Sequence, residues 1–199
     1  MRNISSRRRA GQALIESCLV VALISLILFG LFQVAQLYSA RQILQHAALA
    51  GARARVVGFN AFVVHKAVRV ATIPHAGRML EPVLERQADG GRWRAWTPGQ
   101  AWDLALRARP ATPQTALEQA RIPLYLGAAH WGDLPGILDY ADWDTVRIAR
   151  WVEGEAAVEI TVRQDLPLRL PFRAAFYAHE QAPLEGAARL ENHFPLYLQ

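Results

Sequence analysis

Arg7-Arg8-Arg9-Ala10-Gly11-Gln12-Ala13-Leu14-Ile15-Glu16, followed by the apolar run Ser17-Cys18-Leu19-Val20-Val21-Ala22-Leu23-Ile24-Ser25-Leu26-Ile27-Leu28-Phe29-Gly30-Leu31-Phe32, decides how this chain is built. No charged residue occurs from Ser17 to Tyr38. A membrane-spanning helix needs about 20 mostly apolar residues, and it satisfies its own backbone where no water can. The three arginines belong on the cytoplasmic side, which sends the long C-terminal part across the membrane. Arg41, Arg53 and Arg55 follow the run and make that asymmetry modest. A cleaved secretory signal shares the basic start, but its apolar region is only about 7–15 residues long. The best small-residue site downstream, Tyr38-Ser39-Ala40, puts a bulky tyrosine where a small side chain is wanted.

The charge balance points the same way. The 199 residues carry a formal net charge of +5, which first suggests nucleic acid or an anionic surface. Four of the 22 basic residues are Arg2, Arg7, Arg8 and Arg9; without them 18 basic residues face 17 acidic ones. The excess is therefore a local feature of the N-terminus, and no nucleic-acid partner is expected. A hydrophobic share of 52% suits a folded chain. Cys18 is the only cysteine, so no intrachain disulfide forms; inside the apolar run it reads as a small hydrophobe.

Glu16 stands at the mouth of the apolar run. A carboxylate costs about 2.5–3.5 kcal/mol at a membrane helix centre and less near the interface. Headgroup water, the positive end of the helix dipole or a paired cation would each lower that cost. The neighbours of Glu16 bear on the choice. A basic leader, Gly11, and a glutamate as the fifth residue after it resemble a type IV prepilin-like processing site. Gly-Gln-Ala-Leu-Ile-Glu, the apolar span, Ala40-Arg41-Gln42 and Ala47-Ala48-Leu49-Ala50-Gly51-Ala52-Arg53-Ala54 are similar to the TadE-like family, over roughly residues 7 to 57.

That resemblance implies a minor pseudopilin or assembly factor of a Tad-type pilus, held in the bacterial inner membrane by a single pass with its C-terminal domain in the periplasm. It implies cleavage of the Gly11–Gln12 bond by a membrane-embedded prepilin peptidase. The implied partners are that peptidase, other pilins or pseudopilins, pilus assembly proteins and membrane lipid. Cleavage leaves an α-amino group on Gln12, with a pKa near 7.7–8.0. Glu16 of one subunit would meet the Gln12 amine of the next, each charge lowering the burial cost of the other.

Along the rest of the chain the sequence predicts an α+β, pilin-like domain. The expected division is a leader over 1–11, a transmembrane and extended helix over 12–57, and an extracytoplasmic domain over 58–199. Ile43, Ala47, Ala50 and Ala54 mark one helix face, expected to pack on the chain's own domain. Gly58 and Asn60 break the helix, with Asn60 a candidate N-cap for a second helix over 61–72. A shorter helix is expected around Arg78 to Gln87, then a turn at Asp89-Gly90-Gly91. Thr97-Pro98-Gly99-Gln100 orders a cap, an N1 proline and an N3 glutamine for a helix to about Arg107. Thr115 to Glu118 reads as another capping box. Thr145 to Val152 reads as a strand. Val158, Ile160 and Val162 alternate with Glu159, Thr161 and Arg163, the clearest strand pattern in the chain. Leu166 to Phe172 reads as an extended edge, and Ala187 to Leu198 as a further strand.

No enzyme motif appears: no G-x-S-x-G, no phosphate loop, no H-E-x-x-H, no paired C-x-x-C. No cofactor is expected. His179-Glu180 and Glu191-Asn192-His193 lack metal-ligand spacing. Asp139, Asp142 and Asp144 are close enough to raise calcium, but turn and capping roles fit them better. All six tryptophans fall between Trp93 and Trp151, as core or as a partner surface. Arg92-Trp93-Arg94 with Trp96 interleaves cations and rings, thin support for a single-strand binder.

Overall fold

The computed structural model describes residues 4–80, 97–122, 125, 137–168 and 177–192. The architecture is α+β: a long N-terminal helix, short helices and a three-stranded antiparallel sheet. The elements are α1 (Ile4–Val56), α2 (Ala61–Ala71), α3 (Pro98–Ala108), α4 (Gln114–Arg121), β1 (Val146–Glu153), β2 (Ala157–Pro167) and β3 (Gln181–Glu191). The chain divides into two compact units. One comprises Met1–Ser39 with Pro167–Ala182, the other Ala40–Leu166 with Pro183–Gln199.

In the second unit the outer part of α1 is the backbone of the core. Ala, Leu, Gln and Arg dominate residues 40–56 and are good helix formers. Ala40, Leu44, Ala47, Ala48, Gly51 and Ala52 are buried along one face; of the expected stripe only Ala47 is among them, while Ile43, Ala50 and Ala54 flank it half-buried. Leu44, Ala47, Ala48 and Ala52 cluster with Val64 and Val68 of α2, Val146 of β1, and Val158, Ile160 and Val162 of β2. Small residues let the helix approach closely. A Cβ on Gly51 would lie 2.7 Å from Val68 Cγ2 and 3.3 Å from Ile160 Cδ1. A Cβ on Gly186 of β3 would lie 2.3 Å from the Gln45 nitrogen, backbone against backbone.

The caps follow local chemistry. Gly58, at φ 93°, lets the chain leave α1, a conformation that costs glycine little. Asn60 then caps α2, its Oδ1 accepting from Val63 N at 3.1 Å. The Thr97 capping box is complete: Gln100 N donates to Thr97 Oγ1, and Thr97 N donates to Gln100 Oε1. The expected Thr115 box does not form. Helix α4 starts at Gln114 on Pro113 with no side-chain cap, because Thr115 already lies inside the first turn. Arg78–Leu80 are not helical as expected. Met79 forms an isolated antiparallel bridge with Tyr140. The rest of that predicted helix, and the Asp89-Gly90-Gly91 turn, lie outside the described residues.

The sheet order is β1-β2-β3. β1 pairs antiparallel with β2, with Trp151 opposite Ile160 and an irregularity between Ile148 and Arg150. Side chains of β2 alternate as predicted, Val158, Ile160, Val162, Gln164 and Leu166 pointing inward. The outward face is laced by weak pairs such as Arg150–Glu159 at 3.4 Å and Arg163–Glu185 at 3.7 Å. β3 begins earlier than the sequence suggests and ends at Glu191; residues 193–199, including Pro195, lie outside the described residues.

Candidate functional site

The candidate site is the inner part of α1. From Gln12 onward α1 is long and apolar enough to cross a membrane, and its apolar window is almost wholly unburied by protein. Leu19, Val20, Val21, Leu23, Ile24, Ile27, Leu28, Leu31 and Phe32 are all exposed. Such a surface in water would cost about 25 cal/mol per Å² of apolar area. In lipid it costs nothing, so composition and burial are consistent with a single-pass membrane anchor.

Helix α1 runs through the Gly11–Gln12 bond. Cutting that bond requires this turn to unwind into an extended segment. Glycine is about 1 kcal/mol poorer than alanine in a helix interior, so unwinding is cheapest there. Glu16 is exposed, one turn beyond Gln12, which is also exposed. Four residues put both on one side of the helix, separated by about 6 Å of rise. Ser17 Oγ donates to Ala13 O at 2.8 Å, which hides its hydroxyl within the apolar run.

One polar residue of the span escaped the sequence reading. Gln33 is only 3% exposed, and among the described residues no group donates a hydrogen bond to its Oε1. Ser25, Leu26, Phe29, Gly30 and Leu37, on the same side, are half-buried. The signal available in the sequence was the amide itself, standing alone between Phe32 and Val34.

The tryptophan and aspartate region has a structural role in its described part. Trp143 is fully buried and packs edge-on to Tyr125 and Tyr140, with centroids 5.8 and 5.0 Å away. Its Nε1 donates to Arg69 O at 3.0 Å. Arg69, at the end of α2, donates through Nη1 to Trp143 O. Burial pulls the Arg69 guanidinium down to about 10, while Asp144 and Asp139 act in the opposite direction. These two aspartates thus offset a buried cation. Asp142 anchors the turn: its N–H donates to Ala76 O at 2.9 Å, and its carbonyl accepts from Thr145 Oγ1 at 2.6 Å. Among the described residues no group of three or more His, Cys, Asp or Glu side chains is placed to hold a metal. Trp102 and Trp151 are half-buried, each against a core cluster. Trp93, Trp96, Trp131, Arg92, Arg94 and His193 lie outside the described residues.

Residues 11–53 match the family model described as TadE-like protein. No curated protein and no solved structure matches the chain. The matched stretch opens on Gly11, contains Gln12, Glu16 and the whole apolar run, and ends three residues before α1 does.

Proposed function

We propose that this chain, whose N-terminal segment is TadE-like, is a minor pseudopilin-like structural or assembly component of a Tad-type (type IVc) pilus system. The carrying observation is that the family match begins at Gly11 and runs along a helix whose apolar inner part is left uncovered. Inner-membrane anchoring by one span, with the arginine leader in the cytoplasm and the domain in the periplasm, follows from the positive-inside rule. The role is structural, and the chain's own residues act by assembly and not by catalysis.

In this reading a prepilin peptidase cuts the peptide bond between Gly11 and Gln12. The leader leaves with a Gly11 carboxylate, and Gln12 keeps the new amine, largely protonated at neutral pH. Glu16 of the neighbouring subunit then accepts a charge-assisted hydrogen bond from that ammonium. In a low-dielectric site such a pair replaces two costly single charges, so it fixes the axial stagger between helices. Cyclisation of Gln12 with loss of ammonia would remove the cation; mass spectrometry of the mature N-terminus reads that directly.

Two experiments test the reading. N-terminal sequencing of the membrane-inserted protein should start at Gln12; an intact Met1 rules processing out. Glu16→Leu should abolish piliation while membrane insertion stays normal. A normal pilus in that variant would leave an anchored binding module with no filament role.

A further inference from the structure

We propose that the outer edge of β1 is a docking site for an extended, acidic strand of a partner protein, which adds to the sheet as a further strand. The inference concerns the sheet alone and stands whether or not α1 crosses a membrane.

The sheet runs β1-β2-β3, so β1 and β3 are its edges. An edge strand presents N–H and C=O groups that an incoming strand can satisfy. The two edges are guarded unequally. β3 carries Pro183, which has no N–H to donate, and its Gly186 lies against the backbone of α1. β1, Val-Arg-Ile-Ala-Arg-Trp-Val-Glu, has neither proline nor glycine. Among the described residues only β2 pairs with it. Arg147, Ala149, Arg150, Val152 and Glu153 are exposed, so this edge is open to solvent. The ladder shows which backbone groups are free. Gly154 N–H donates to Ala157 O at 2.9 Å, which makes those two a hydrogen-bonded pair. Such pairs alternate along antiparallel strands. Val152 with Glu159 and Arg150 with Thr161 therefore bond to each other, while Trp151 and Glu153 turn their N–H and C=O away from β2. The irregularity between Ile148 and Arg150 ends this regular stretch and pins the register of an added strand.

The side chains set the composition of the partner. Arg147 and Arg150 stand on the outward face of the edge, with side chains 59% and 62% exposed. Arg150 lies 3.4 Å from Glu159, and Arg147 lies 3.6 Å from Asp165, a carboxylate that Arg163 shares at 3.6 Å. These separations exceed ordinary hydrogen-bond length, and each guanidinium has five donors to give. Glu153, the one acid of β1, is held by two nitrogens of Arg55 at 2.7 and 2.8 Å. An incoming carboxylate thus meets two incompletely engaged cations and no free acid on β1. On the inward face the added strand borders Ile148 and Trp151, both half-buried against the core, which favours apolar residues there. The fitting partner alternates carboxylates with apolar side chains. A second copy of β1 brings two more arginines and no free carboxylate, and like charges across a strand pair disfavour it.

The test titrates the full chain, in zwitterionic nanodiscs, with a fluorescein-labelled peptide in which glutamate alternates with valine. Anisotropy should rise, and hydrogen exchange should slow over Val146–Glu153 but not over Gln181–Glu191. An analogue with methylated amide nitrogens keeps the charge and loses the backbone donors; it should bind about tenfold more weakly. Arg147→Glu combined with Arg150→Glu should weaken the glutamate peptide about tenfold and turn the preference toward a lysine–valine peptide. Equal binding of the methylated analogue to the native chain overturns strand addition, and that result needs no variant to fold. Equal binding of the lysine–valine peptide to the native chain overturns the charge match. No rise in anisotropy, or protection that spares β1, overturns the site. Ala149→Cys in a Cys18→Ser background detects the other occupant. A disulfide-linked dimer there gives the edge to a second copy and overturns the acidic partner.

Discussion

Residues 12–39 and 40–56 of α1 belong to one helix but answer to different solvents. The inner stretch is bulky and apolar on nearly every side, with Leu19, Leu23, Ile27 and Leu31 exposed. The outer stretch concentrates alanine and glycine on one face and puts Arg41, Gln42, Gln45, His46 and Arg53 on the other. A helix that is apolar all round needs lipid or other helices, whereas a one-sided stripe needs a domain. The small residues of the outer stretch are therefore no free helix–helix surface: Ala47, Ala48 and Ala52 are already packed on α2 and the sheet. Any assembly contact through α1 falls to its inner stretch, where Glu16 stands.

The contrast breaks most sharply at Gly186. Its Cβ would meet the Gln45 nitrogen and Leu44 carbonyl carbon at 2.3 Å, and neither can rotate away. Gly186→Ala should cost about 3 kcal/mol or more, above the usual range for overpacking because the clash is with backbone. Urea unfolding of the full chain in detergent, followed by fluorescence of the buried Trp143, measures it. An unchanged midpoint would mean that β3 does not seat on the outer stretch of α1.

Gly51→Ala comes next. Here the clash is with the Val68 methyl at 2.7 Å, a side chain that can shift. Alanine also gains up to about 1 kcal/mol in helix propensity. The net loss should be about 1 kcal/mol, read in the same titration. At the inner stretch, Leu28→Ala removes an exposed side chain and should leave the domain's midpoint within about 0.5 kcal/mol. A larger shift would show that the span supports the domain's stability.

What could be read from the chain divides along locality. The end of α1, the Asn60 cap, the Thr97 capping box and the alternation of β2 depend on residues a few positions apart, and each was legible. β3 was not fully legible, since Gln181-Ala182-Pro183-Leu184-Glu185-Gly186-Ala187 carries no β-branched residue. It is a strand because β2 offers an edge and α1 leaves room for a glycine. The bridge of Met79 with Tyr140 likewise answers to distant chain. At the candidate site, Gly11, Gln12 and Glu16 were legible as a spaced motif. Gln33 and Arg69 were not, because burial of a polar group is decided by what packs over it.

Electrostatics gives the smallest expected effect and separates the two stretches once more. His65 lies with its ring 6.1 Å from Trp151, and His75 is half-buried beyond α2. Burial holds both imidazoles below their ordinary value, with the Arg69 cation adding to the effect at His65. The unfolded chain therefore binds protons more readily than the native domain in acid. Stability should be level above about pH 7 and fall as the pH drops through the ordinary histidine value near 6.5. His65→Phe keeps a ring against Trp151, removes one titration and should flatten part of that slope. The inner stretch contains no histidine, so its insertion should not change over the same range. If the domain is equally stable at pH 7.5 and 5.5, the two imidazoles are as well solvated as in the unfolded chain, and the packing of α2 on β1 is looser than its ring contact implies.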